Sequence, residues 1–277
     1  MTDAPLHVET YGPAGGDPVL AVHGITGFGA RFERLAAGAA PGRRWLCPDL
    51  RGHGASPTTP PWRTEDHVAD LLRVLDDRDV ERADVVGHSF GGHVALHLCA
   101  LAPERVGRLV LLDPASLIDP VHAEQGALGY ARDPGWATRE EAVEEIGSWF
   151  PTEASLPDLQ PELDRNLVED DGRWRMRFSP LVIVAAYGEM CRPLPELPSR
   201  DVLLVEADPG QTSVSGRLRD ALTSAYGDRL RREVVPEAGH VLFRTHPDET
   251  AAVVAPFLAV CGQPGLGPTV PVDCSPG

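Results

Sequence analysis

The sequence predicts a doubly wound α/β fold: a mostly parallel sheet with helices on both faces. Three observations carry this. Short apolar runs alternate with stretches of helical period along most of the 277 residues. The runs are apolar at consecutive positions, as strands covered on both faces require. One run ends in a G-x-S-x-G turn that opens a helix, a strand–turn–helix unit typical of such sheets.

The strand candidates are Val19–Val22, Trp45–Cys47, Asp84–Val86, Leu109–Leu112, Val202–Val205 and Glu233–Val235. Helices are expected between them. ARFERLAAGAA is helix-like and follows the first run. Thr64–Asp77 places Val68, Leu71, Leu72 and Leu75 on one helical stripe, with Thr64 as its expected N-cap. Gly91–Leu101 is apolar nearly all round, which predicts a buried helix stopping near Pro103. Asp248–Val260 is the last helix. The stretch from Ser116 to Leu197 differs, because it holds no parallel-strand pattern. It carries an amphipathic segment, ATREEAVEEIGSWF, and the aromatic residues Tyr130, Trp136, Trp149, Phe150, Trp174, Phe178 and Tyr187. It reads as a helical cap inserted into the sheet domain. The domain division is therefore 1–115 with 198–261 as core, 116–197 as cap, and 262–277 as a Gly/Pro-rich tail expected to be disordered.

Composition excludes several partners. A formal net charge of −16 disfavours nucleic acid and anionic membrane surfaces. All 25 basic residues are arginine, so neither a Schiff-base lysine nor a P-loop lysine is available. Five cysteines without C-x-x-C spacing suggest neither a disulfide scaffold nor a zinc site. The start MTDAPLHVET has no basic n-region or apolar h-region, and no run approaches transmembrane length, so a cytoplasmic protein without membrane contact is expected.

GHSFGG, residues 87–92, follows the run Asp84–Val86 and opens the helix GGHVALHL. In that context G-x-S-x-G is a nucleophile elbow. The turn lifts Ser89 clear of the sheet and sets the Phe90 N–H at a helix N-terminus, facing developing negative charge. A serine needs a base. With the order nucleophile, acid, histidine, only His240 and His246 leave room for an acid before them. His240, in the late loop VVPEAGHVLF, is the better placed. The acid should follow a strand. Asp208 in VEADPG is the first choice; Glu206 and Asp113 are its rivals. His93 and His97 stand one helical turn apart, but no further metal ligand accompanies them, so packing is the expected role.

VHGITGFG, residues 22–29, sits between the first run and the first helix. Its glycines form G-x-x-G-x-G, not the dinucleotide fingerprint G-x-G-x-x-G, although Asp49 stands about 20 residues on, where a ribose-binding acid would be. The elbow decides the matter: HGIT is the oxyanion loop, with Ile25 as N–H donor, Thr26 as runner-up, and Asp49 in a surface loop.

Four stretches, VHGITG, PDLRGHGAS, VVGHSFGGHVALHLCALAPERVGRLVLLDPA and VVPEAGHVLFRTHPDE, together resemble the α/β-hydrolase family over roughly Val8 to Val260. The resemblance implies Ser89 as nucleophile, His240 as base and Asp208 as acid, while substrate identity does not carry over. The ordered set Ser89, Asp208 and His240 is itself expected to act on a small ester-type substrate, a carboxylic ester or lactone, without a cofactor. The acid loop reads V-E-A-D where the family usually has G-x-x-D. The same constellation also serves C–C bond hydrolases, thioesterases, amidases and cofactor-free haloperoxidases. A non-catalytic ligand-binding protein on this fold is the alternative outside enzymes. A dehalogenase or epoxide hydrolase is disfavoured, because the elbow holds Ser89 and not an aspartate.

Overall fold

The computed structural model describes residues 4–131, 135–148 and 156–259. The expected tail 262–277, with Trp149 and Phe150, lies outside the described residues. The strands are β1 (Val8–Tyr11), β2 (Pro18–Val22), β3 (Arg44–Pro48), β4 (Ala83–His88), β5 (Val106–Leu112), β6 (Leu167–Asp170), β7 (Arg173–Met176), β8 (Val202–Glu206) and β9 (Leu230–Val234). The helices are α1 (Glu33–Ala39), α2 (Thr64–Asp76), α3 (Phe90–Leu101), α4 (Pro120–Ala131), α5 (Arg139–Ser148), α6 (Leu156–Asn166), α7 (Pro180–Met190), α8 (Gly216–Tyr226), α9 (Leu242–Thr245) and α10 (Pro247–Leu258).

Seven strands form one sheet in the order β1-β3-β2-β4-β5-β8-β9. All pairs are parallel except β1 with β3, so the doubly wound sheet gains one antiparallel edge strand. The strand side chains divide by parity, as the two-residue period of a strand demands. Leu20, Val85, Leu109, Leu111 and Leu204 face a core shared with α2, α3 and α8. Val19, Ala21, Val86, Val110 and Val205 face a second core shared with α1, α9 and α10. Both faces are buried, which explains the unbroken apolar runs.

Two local expectations need correction. Arg63, not Thr64, is the N-cap of α2; its N–H donates to Asp66 Oδ2 at 3.1 Å. Thr64 is turned to another use, described below. The segment between β5 and β8 is not wholly helical, because β6 and β7 form an antiparallel hairpin within it. This segment has its own small core of Trp136, Ala142, Ile146, Leu163, Leu167 and Met176. Among the described residues, no helix is long and apolar enough to cross a membrane.

Candidate active site

The site sits at the carboxyl ends of β4 and β5, near the middle of the sheet. Ser89 joins β4 to α3 with φ 53° and ψ −122°. This is a backbone conformation that costs a non-glycine residue on the order of 1–3 kcal/mol. The surroundings hold it there: Ser89 N–H donates to Leu112 O at 3.2 Å, and Ser89 O accepts from Gly92 and Ala115 N–H. Glycine is required beside it. A Cβ on Gly91 would lie 2.1 Å from Val22 O, because the start of α3 passes against the end of β2.

His240 Nε2 lies 2.9 Å from Ser89 Oγ. His240 Nδ1 lies 2.6 Å from Asp113 Oδ2. A carboxylate only accepts, so Nδ1–H donates to Asp113 and the Nε2 lone pair faces the serine hydroxyl. Asp113 is fully buried, yet its carboxylate also accepts from Ala207 N–H at 3.0 Å, Ser213 N–H at 2.9 Å, and the Thr212 and Ser213 hydroxyls. Burial is the largest single influence and raises its pKa. The hydrogen bond and charge of His240, with those donors, outweigh it and bring it down to about 2.

The structure therefore brings Ser89 and His240 together but not Asp208. Asp208 Oδ1 accepts from Gly210 N–H at 3.1 Å, and Oδ2 from Glu237 N–H at 3.2 Å, so its carboxylate shapes the loops before His240. The reason lies in the sheet order. Asp113 directly follows β5, the neighbour of the serine strand, whereas Asp208 follows β8, one strand further out. Glu206, the other rival, pairs with Arg219 and Arg232.

The 22–29 stretch packs against the serine. Gly24 to Gly27 is a turn closed by Gly27 N–H to Gly24 O at 3.0 Å, with Ile25 and Thr26 between, Thr26 at φ 62°. A Cβ on Gly24 would stand 2.8 Å from Ser89 Cβ and 3.3 Å from its Oγ. His23 fixes the turn from behind: its Nδ1–H donates to Gly24 O at 2.7 Å and its Nε2 accepts from Leu50 N–H at 2.8 Å. Asp49 is not in a surface loop, as expected from the sequence, but buried, accepting from Gly29 N–H at 2.7 Å and Ala55 N–H at 2.9 Å.

His88 takes part without a sequence signal of its own. His88 Nε2–H donates to the His240 carbonyl at 2.9 Å, while its ring meets Phe243 edge-on. Burial, then the neighbouring His240, pushes His88 down to about 3, so it is neutral. His93 and His97 are polar packing residues. His93 bridges Thr64 Oγ1 at 3.1 Å and Ser116 Oγ at 2.8 Å, and His97 Nδ1 lies 3.0 Å from His93 O. Thr64 donates from both N–H and Oγ1 to Glu189 of α7, which also pairs with Arg192. This network ties the 116–197 segment to the elbow helix. Among the described residues, no group of three or more His, Cys, Asp or Glu is arranged to hold a metal ion.

Comparison with known proteins agrees with this fold. The sequence pattern of the "Alpha/beta hydrolase family" matches residues 19–253. The chain is 36% identical to lipase LipV of Mycobacterium tuberculosis, over 90% of this chain and 96% of that protein. It is 27% identical to esterase YbfF of Escherichia coli, over 87% and 92%. Among solved structures, an E-2-(acetamidomethylene)succinate hydrolase superimposes with a TM-score of 0.82 at 21% identity, covering 92% of this chain and 95% of the other. A marine microorganism esterase follows with a TM-score of 0.77 at 20% identity, covering 91% and 99%. At these identities the two structures speak for the fold alone.

Proposed function

Because the chain belongs to the α/β-hydrolase family, we propose that it is a serine hydrolase of small ester-type substrates, carboxylic esters or lactones, working through an acyl-enzyme on Ser89. The observation that carries this reading is the hydrogen-bonded run from Ser89 Oγ through His240 to the buried carboxylate of Asp113. Relatives named lipase and esterase, aligned over nearly the whole chain, support the ester as substrate class.

His240 Nε2 takes the Ser89 proton as Oγ attacks the substrate carbonyl. Asp113 holds the Nδ1–H tautomer and stabilises the imidazolium. It is already ionised and saturated with donors, so it need not reorganise. The tetrahedral oxyanion accepts from Phe90 N–H at the start of α3 and from Ile25 N–H in the Gly24–Gly27 turn, each donor contributing on the order of 2.7–4 kcal/mol. The intermediate collapses, the C–O bond to the alcohol breaks, and His240 returns its proton to the leaving oxygen. Water then gives a proton to His240 and attacks the acyl carbon; the bond from that carbon to Ser89 Oγ breaks, His240 returns the proton to Oγ, and the acid is released. The 116–197 segment acts as a cap over Ser89, which is only 4% exposed. Substrate is a small molecule, and the protein works without a cofactor.

The test is turnover of a panel of short-chain aryl esters and lactones by wild type and Ser89→Ala. The variant should lose a factor on the order of 10⁶ in kcat. Undiminished turnover by the variant would overturn the assignment.

A further inference from the structure

Both loops that flank Ser89 meet at one carboxylate from the cap. Arg31 lies in the 3₁₀ turn Gly29–Phe32, directly after the Gly24–Gly27 turn. Arg244 lies in α9, four residues after His240. Between them stands Glu162 of α6. Its Oε1 accepts from Arg31 Nε at 3.0 Å and also from Arg31 Nη2. Its Oε2 pairs with Arg244 Nε at 3.1 Å. The three side chains are 9%, 12% and 11% exposed, for Arg31, Arg244 and Glu162 in turn, so solvent screens this cluster little. The Arg31 guanidinium also lies over the Phe28 ring, 5.0 Å from its centroid, which fixes its direction.

Glu162 is more than one contact among many, because its carboxylate pairs with a guanidinium from each loop, one on the oxyanion side and one on the base side. Without it, both little-exposed guanidiniums lose a shared carboxylate. The ring stack of Phe32 on Phe243, with centroids 5.0 Å apart, is then left to hold loops that no longer share an ionic tie.

We propose that Glu162 is a positioning residue for the hydrolysis: it sets the oxyanion turn and the His240 loop against each other and ties both to α6. The catalytic half of this statement rests on the Ser89 reading above; the structural half does not.

The experiment is hydrogen exchange of the full chain, wild type against Glu162→Gln, with ester turnover measured on the same samples. Amide exchange should accelerate about tenfold in residues 24–32 and in residues 240–246 together, with β4 and β5 unchanged. Turnover should fall in kcat by on the order of tenfold to a hundredfold, as expected when reacting groups are misplaced by a fraction of an ångström to an ångström. Acceleration confined to residues 156–176, with kcat intact, would show a Glu162 that merely packs the cap, and would overturn the proposal. Arg244→Gln is the second variant, useful if Glu162→Gln does not fold. It should loosen residues 240–246 and leave residues 24–32 near wild type, because Arg31 keeps its partner. Equal loosening of neither loop in either variant also overturns the proposal. If wild type turns over no ester while Glu162→Gln loosens both loops, the hydrolase reading fails and the tie stands.

Discussion

Acidification should destabilise this protein well before its carboxylates titrate. His53, His67 and His88 are buried, and burial is the chief cause that pushes them down to about 3, 4 and 3. His23 and His93 are held down the same way. In the unfolded chain each returns to about 6.5. The folded pKa is the lower one, so the unfolded state binds more protons below pH 6.5. The stabilisation is complete above about pH 6.5 and is lost as pH falls towards 4 and 3. At pH 5.5 each of the first three costs roughly 1–2 kcal/mol, about 4 kcal/mol together, relative to pH 7.5. Against a total stability of about 5–15 kcal/mol this is a large fraction. Asp113, depressed to about 2, acts in a separate window, losing its contribution only between about pH 4 and pH 2. The assay is urea unfolding followed by fluorescence at pH 7.5, 6.5 and 5.5, with the slope in urea checked for constancy. An unfolding free energy that stays flat across this range would refute the reasoning, because it would mean that these rings are not held neutral by burial.

Two further outcomes follow from the site. Asp113→Asn should lower kcat by on the order of 10⁴, while Asp208→Asn, compared in the same ester assay, should stay within a few-fold of wild type; the reverse ranking would return the acid to Asp208. Gly24→Ala puts a methyl group 2.8 Å from Ser89 Cβ. It should reduce kcat by on the order of 10²–10³ by pushing the oxyanion turn off the nucleophile, with a lowered unfolding midpoint as the packed turn shifts. A Gly24→Ala enzyme with full kcat would remove this turn from the mechanism.

The central strands and the elbow were legible because burial on both faces writes an unbroken apolar run, and because a strand–turn–helix reversal at Ser89 needs glycine two residues to either side, at Gly87 and Gly91. β1 was not, since VETY is half-exposed at the sheet edge and has no apolar run to show. α8 was missed for a similar reason: only Leu218, Leu222 and Tyr226 are buried on it, among arginines and polar residues. The β6–β7 hairpin is written in charged residues, LVED and RWRM, which hide its alternation. The choice of acid failed on topology. Chain order admits both Asp113 and Asp208, and what separates them is which strand lies beside β4, a relation the linear sequence does not state. Glu162, Arg31 and Arg244 are silent in the sequence because each is an ordinary charged residue until the fold brings them together, 131 residues apart in the case of Arg31 and Glu162.

The central claim is an activated Ser89, and a fluorophosphonate probe reads it most directly, since the probe reports the nucleophile and the oxyanion site with little dependence on substrate. Wild type should gain the mass of one phosphonyl adduct, and Ser89→Ala should gain none. Well-folded wild type that takes up no adduct, or a Ser89→Ala protein that takes it up as readily, would contradict the account.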